Sequence, residues 1–261
     1  MKRFKTFSLM LLTVILAACA TVPLTGRKQL SLVDESQLQQ QAAQAYREFL
    51  STKSTVVISN TTDAQRVKRV GSNIANAITR YMQQNGYGDK YNYAYEFNLI
   101  QSKDINAWCM PGGKVAVYTG ILPVTMDDAG LATVLGHEIA HAIAGHSSEQ
   151  ASSGALAQLG TSVVGAYTGS EAAGQLTGVG AQLVLLKYSR KQESEADRLG
   201  LIFMAMAGYN PNSAVSFWQR MSSAAQGNGA PPEILSSHPS DASRIADIQK
   251  RLPEAMKYYT K

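Results

Sequence analysis

The sequence predicts an α+β chain, mainly helical, with a small β-sheet. Apolar residues recur at helical spacing through 63–85, at Val67, Val70, Ile74, Ala77, Ile78 and Tyr81, and an apolar Gly/Ala-rich run covers 131–144. Strict alternation is confined to two short stretches, 92–100 and 114–119. In chain order, 22–32 is an extended lead with Pro23 and Gly26, and Asp34 can cap a helix running to about Leu50. Residues 51–62 read as a loop with a short extended piece, and Gly86 and Gly88 end the helix of 63–85. Tyr93, Tyr95, Phe97 and Leu99 share one face of the first strand, and Pro111-Gly112-Gly113 makes a turn into the second. A short helix over 121–126 and the pair Asp127-Asp128 lead into the run at 131–144. Asn210-Pro211 starts a helix through Met221 with Phe217 and Trp218 in the core, 226–232 is a Gly/Pro loop, and 240–252 is a C-terminal helix.

The run at 131–144 holds His137-Glu138-Ile139-Ala140-His141. Residues four apart share a helix face, so the two imidazoles can grip one metal ion, with Glu138 beside them to take a proton from water. Zinc with three protein ligands and an open position is a hydrolytic centre, so a third ligand is needed. Ser189 to Asp197 offers one. Glu193 and Asp197 share a face and Glu195 points roughly away. The economical arrangement makes Glu193 the ligand and Asp197 the carboxylate that accepts the free N–H of a ligating His. Without the His pair the same stretch would read as a solvated charged face. His146 falls five residues after His141, not six, so it does not complete a three-His pattern and reads as a helix-end histidine.

With His238-Pro239-Ser240 and Arg244 added in the right order, the chain resembles the HtpX/BepA/Oma-type zinc metallopeptidases, relatives of the CAAX prenyl proteases, over roughly 30–252. The resemblance implies a zincin-like metalloprotease domain, one zinc per chain on His137, His141 and Glu193, and Asp197 as the orienting residue. It places His238 near the metal, either stabilising the oxyanion with Arg244 or capping the open position as a switch. It also implies a sheet edge strand flanking the active-site helix, assigned to Gly113, Lys114, Val115, Ala116 and Val117, that pairs with extended substrate. Gly112 and Gly113 would let the backbone come close. Some relatives carry TPR repeats after the protease domain; this sequence, ending at Lys261, is not expected to.

Lys2, Arg3 and Lys5 precede an apolar stretch, 7–18, too short for a comfortable membrane span. It ends in Leu16-Ala17-Ala18-Cys19, which resembles a bacterial lipobox. The expected layout is a signal peptide over 1–18, a tether over 19–33 lipidated at Cys19, and a catalytic domain over 34–261. No Asp follows Cys19, which points to the outer membrane, facing the periplasm. Removal of 1–18 leaves 243 residues, enough for one substantial core. The net charge of +5 falls to +2 without the three n-region charges, and no basic patch suggests nucleic acid. The two cysteines give no internal disulfide if Cys19 is lipidated, and Cys109 reads as a small buried hydrophobe. The segment 151–186 is rich in Ala, Gly and Ser and reads as two buried helices or as a flap over the cleft. Expected partners are protein substrates, the membrane through the anchor, and envelope assembly machinery. Two alternatives are a non-catalytic chaperone or scaffold on a protease fold, which intact Glu138 disfavours, and a structural zinc site, which the lack of cysteine at ligand spacing disfavours.

Overall fold

Asp34 accepts a hydrogen bond from the Gln37 backbone N–H at 3.0 Å and so starts α1, Glu35–Ser51. The computed structural model in which this is seen describes residues 19–156, 187–226, 232–238 and 242–259. The signal-peptide stretch, most of the Ala/Gly/Ser-rich segment, most of the Gly/Pro loop, and Pro239 and Ser240 lie outside the described residues. Thr61 caps α2, Thr62–Gln84, which buries Val67, Val70, Ile74, Ala77 and Ile78 as expected from spacing, with Met82 rather than half-buried Tyr81 completing the stripe.

Four short strands form the main sheet in the order β3-β4-β6-β5: β3 Val57–Ile58, β4 Glu96–Ile100, β5 Ala107–Met110 and β6 Lys114–Tyr118. β4 and β6 run parallel; the other two pairs are antiparallel. Alternation sorts the side chains into two faces. Phe97, Leu99, Cys109, Val115 and Val117 face the main core with α2 and α4, Asp128–Ile143. Ile100, Trp108, Met110 and Ala116 face α1, where Tyr46 donates to the Val115 carbonyl at 2.6 Å. The site thus rests on a three-layer arrangement of helix, sheet and helices.

Three expectations are corrected. The first strand begins at Glu96, not residue 92, because its ladder partner β6 begins at Lys114 and the chain before that is a turn. Lys114 to Val117 are not an edge: β6 is bonded to β4 on one side and β5 on the other, so the sheet ends at β5, which packs beside α4. The lead over 19–33 is not a free tether. Cys19–Thr21 (β1) and Lys28–Leu30 (β2) pair as a hairpin, Val22 is buried in the main core, and Ser152 Oγ accepts from the Leu32 and Val33 backbones.

After the single turn α3, Leu122–Thr125, α4 is capped by Asp127, buried along nearly its whole length, and ended by Gly145 at φ +66°. A further helical stretch, α5, covers 146–156. α6, Arg190–Met206, starts with a capping box between Ser189 and Gln192. α7 is Ser213–Ala225, α8 the single turn Ile234–Ser237, and α9 Ala242–Ala255. No helix among the described residues is long and apolar enough to cross a membrane.

Candidate metal centre

α4 and α6 cross at two glycines. A Cβ on Gly200 would lie 2.8 Å from the His137 backbone nitrogen, and one on Gly136 would lie 2.7 Å from the Gly200 carbonyl. This close approach brings His137 and His141, one turn apart on α4, against Glu193 in the first turn of α6. His238, at the C-cap of α8, closes the group, its backbone carbonyl held by Arg244 at 3.3 Å. Candidate ligand atoms of these four buried residues all lie within 4.8 Å of one another. His137 Nε2 is 3.1 Å from His141 Nε2, 3.2 Å from His238 Nδ1 and 3.5 Å from Glu193 Oε2, and His141 Nε2 is 3.4 Å from Glu193 Oε1. A tetrahedron of ligands at zinc–nitrogen bond lengths has edges of roughly 3.3–3.4 Å, so the donor set fits such an ion. Among the described residues, buried Glu138 Oε1 and Glu193 Oε2 have no hydrogen-bond partner, as expected where a cation and a water belong.

Asp197 Oδ1 lies 2.9 Å from His137 Nδ1, the contact that leaves Nε2 facing the cluster. Arg244 grips the same carboxylate through Nε at 2.9 Å and Nη2 at 2.8 Å, and its guanidinium stacks 3.5 Å from the Trp218 ring centroid. The structure gives Trp218, expected only in the core, this second contact. Arg244, expected as an oxyanion donor, thus clamps the residue that orients His137, and its Nη1 also lies 3.3 Å from Glu193 Oε2. A cavity of about 370 Å³ lined by Tyr188, Glu193, Asp197 and Arg244 among others borders this side of the group.

Glu138 is buried, with Oε1 3.6 Å from His238 Nε2. Burial raises its carboxyl pKa, only partly offset by the neighbouring His238 and His137, which suits a group that must accept a proton near neutral pH. Burial also raises Glu193, but the facing His137 and His238 imidazoles outweigh it and hold the carboxylate ionised. His141 is pushed well down by burial and by His137, so it stays neutral. Tyr188 stacks on His141 at 4.0 Å between centroids, a contact absent from the sequence reading, although Tyr188 immediately precedes the Ser189 cap. Gly112 and Gly113, at φ +80° and +82°, serve the β5–β6 turn. A Cβ on Gly113 would meet the Tyr95 ring at 2.5 Å, so packing and turn geometry account for these glycines without any close approach to the site.

Two helices that cross with a His-Glu-x-x-His face against a glutamate define a metal-dependent peptidase architecture. The model of peptidase family M48 matches residues 62–252, and the chain belongs to that family. It is 33% identical over 235 residues to the mitochondrial metalloendopeptidase OMA1 of Schizosaccharomyces pombe, covering 90% of this chain and 66% of that protein. Human OMA1 is 30% identical over 171 residues, 61% of this chain and 33% of that one. The β-barrel assembly-enhancing protease of Escherichia coli K12 is 28% identical over 188 residues, 67% of this chain and 39% of that one. The chain thus spans between a third and two thirds of the length of these relatives.

Proposed function

We propose that this chain is a zinc-dependent endopeptidase of the bacterial cell envelope that cleaves misfolded or misassembled envelope proteins. The observation that carries the proposal is the convergence of His137, His141 and Glu193 with buried Glu138 beside them, whose Oε1 has no hydrogen-bond partner. Zinc held there would supply Lewis acidity and make water nucleophilic near neutral pH. Glu138 takes the proton of the attacking water and passes it to the leaving amine. Asp197, clamped by Arg244, keeps His137 in the ligating tautomer. The sheet edge offered to an extended substrate is β5, with β6 behind it. The envelope assignment rests on the apolar leader ending at Leu16-Ala17-Ala18-Cys19 and on likeness to a β-barrel assembly-enhancing protease. Assembly machinery of the outer membrane is then the expected neighbour.

The test is cleavage of casein by the zinc-loaded chain, followed by comparison of envelope proteomes with wild type and Glu138→Gln. The variant should bind zinc normally and lose about 10²–10⁴-fold in turnover, the size of a general-base contribution. Cleavage by Glu138→Gln at the wild-type rate would reject the mechanism. Identical envelope proteomes in the two strains would reject the quality-control role.

A further inference from the structure

We infer that His146, backed by Glu195 and Arg27, is a positioning residue for the metal centre: it fixes His141 as the tautomer that turns a bare Nε2 toward the ion. The inference rests on the metal reading above and extends it to three side chains that reading does not use. His146 is fully buried. Its Nδ1 lies 2.8 Å from His141 Nδ1 and its Nε2 lies 3.0 Å from Glu195 Oε2. Gly145 creates this contact. Its left-handed backbone ends α4 and turns His146 to meet His141, and a Cβ there would come 2.8 Å from Gln29 Nε2.

The proton positions follow from which groups can only donate. Arg27 Nε donates to Glu195 Oε2 at 2.6 Å, and the Thr25 hydroxyl donates to Oε1 at 2.5 Å. Arg27 is a fixed cation whose Nε can only donate, so the Glu195 oxygen it meets accepts, and the two form a guanidinium–carboxylate pair. An ionised carboxylate accepts only, so His146 donates to it from Nε2. The 2.8 Å between the two Nδ1 atoms leaves room for one proton only, and a His146 that keeps its single proton on Nε2 for Glu195 presents a bare Nδ1. His141 must then donate from Nδ1, and its remaining nitrogen, Nε2, is the one in the ligand cluster. His137 reaches the same state through a single link, Asp197. His141 reaches it through two, and the last residue, Arg27, sits between β1 and β2 and also holds Glu149 and Gln29. The N-terminal hairpin is thereby connected to a metal ligand by side-chain hydrogen bonds alone.

The experiment measures zinc affinity of the full chain by competition with a chelator for wild type, His146→Leu and His146→Gln, with ¹⁵N-histidine NMR of the zinc-loaded wild type. Loss of an outer hydrogen-bond partner typically weakens metal binding about 10–100-fold. We expect that loss in His146→Leu and its recovery in large part in His146→Gln, whose amide oxygen can accept from His141. We expect the spectra to show His146 protonated at Nε2 and His141 at Nδ1. Wild-type affinity in His146→Leu, or equal weakness of the Leu and Gln variants, overturns the inference and leaves His146 as packing. The NMR arm needs no variant, so it decides even if His146→Leu does not fold: His146 protonated at Nδ1 overturns the inference. A wild-type chain that takes up no zinc overturns the metal reading itself.

Discussion

His238 stands where it would decide between an open and a closed centre. Its Nδ1 stands among the ligand atoms, 2.8 Å from Glu193 Oε1, and its Nε2 faces Glu138. Four protein donors close a zinc site, whereas catalytic sites keep one position open. The position of Nδ1 favours a capped resting arrangement over an oxyanion donor. His238→Ala should therefore keep zinc on the remaining three residues and raise basal cleavage of an unfolded test protein. A fall in turnover of about 10²–10³-fold with zinc retained would instead assign the oxyanion role. At this scale much was legible. The four-residue spacing of His137 and His141 and the four-residue spacing of Glu193 and Asp197 are helix geometry, and the structure places all four side chains in one group. His146 and Glu195 were not legible as partners. They are 49 positions apart, and they meet only because Gly145 breaks the helix where it does. Arg244 reads in sequence as an oxyanion donor beside His238; its contacts with Asp197 and Trp218 depend on how α9 packs against α6 and α7.

The crossing of α4 and α6 is the element on which the ligand geometry depends. Gly200 faces His137 so closely that an added methyl would sit 2.8 Å from a backbone nitrogen that cannot rotate away. Gly200→Ala gains about 1 kcal/mol of helix propensity, but overpacking a tight contact typically costs about 1–3 kcal/mol. We expect a net loss of up to about 2 kcal/mol, a fall in Tm of up to roughly 8 °C for a domain of this size, and weaker zinc binding as Glu193 is pushed from the His pair. Gly154→Ala is the control: nothing lies within 4 Å of its added Cβ, so the propensity gain should stand alone. Calorimetry and a zinc titration on both variants check this; an unchanged Gly200→Ala would show that the crossing has slack. Periodicity made α2 legible because it buries one stripe, an apolar run made α4 legible because it is buried all round, and the Asp34 cap marked α1. Alternation found β4 and β6 but could not order them. A strand's own residues report which face is buried, not who its neighbours are, and so β6 read as the edge that β5 turned out to be.

At the scale of the whole molecule, the N-terminal hairpin is part of the catalytic body. Val22 is 1% exposed, and Arg27 reaches Glu149 and Glu195 from across the fold. The sequence of the lead, with Pro23 and Gly26, reads as a tether because those partners lie 122 and 168 positions away. The distinction matters for the proposed anchor. Cys19 pairs with Leu30 at the end of β1, three residues before buried Val22. A lipid on Cys19 would hold the domain directly at the bilayer surface, since almost no free chain separates the attachment point from the folded body. Substrates would then be taken from the membrane face or from machinery embedded there, without the reach that a flexible linker gives. Cys19→Ser should abolish metabolic lipid labelling, leave a precursor that lipoprotein signal peptidase does not process, and shift any released chain to the soluble fraction. The change lies at the start of the hairpin, outside the metal centre, so cleavage of a soluble unfolded protein by that chain should match wild type while turnover of membrane-associated substrates falls. Undiminished lipid labelling of Cys19→Ser would sink the anchor. Lost cleavage of the soluble substrate would show instead that the first strand is needed to seat Arg27 on Glu195.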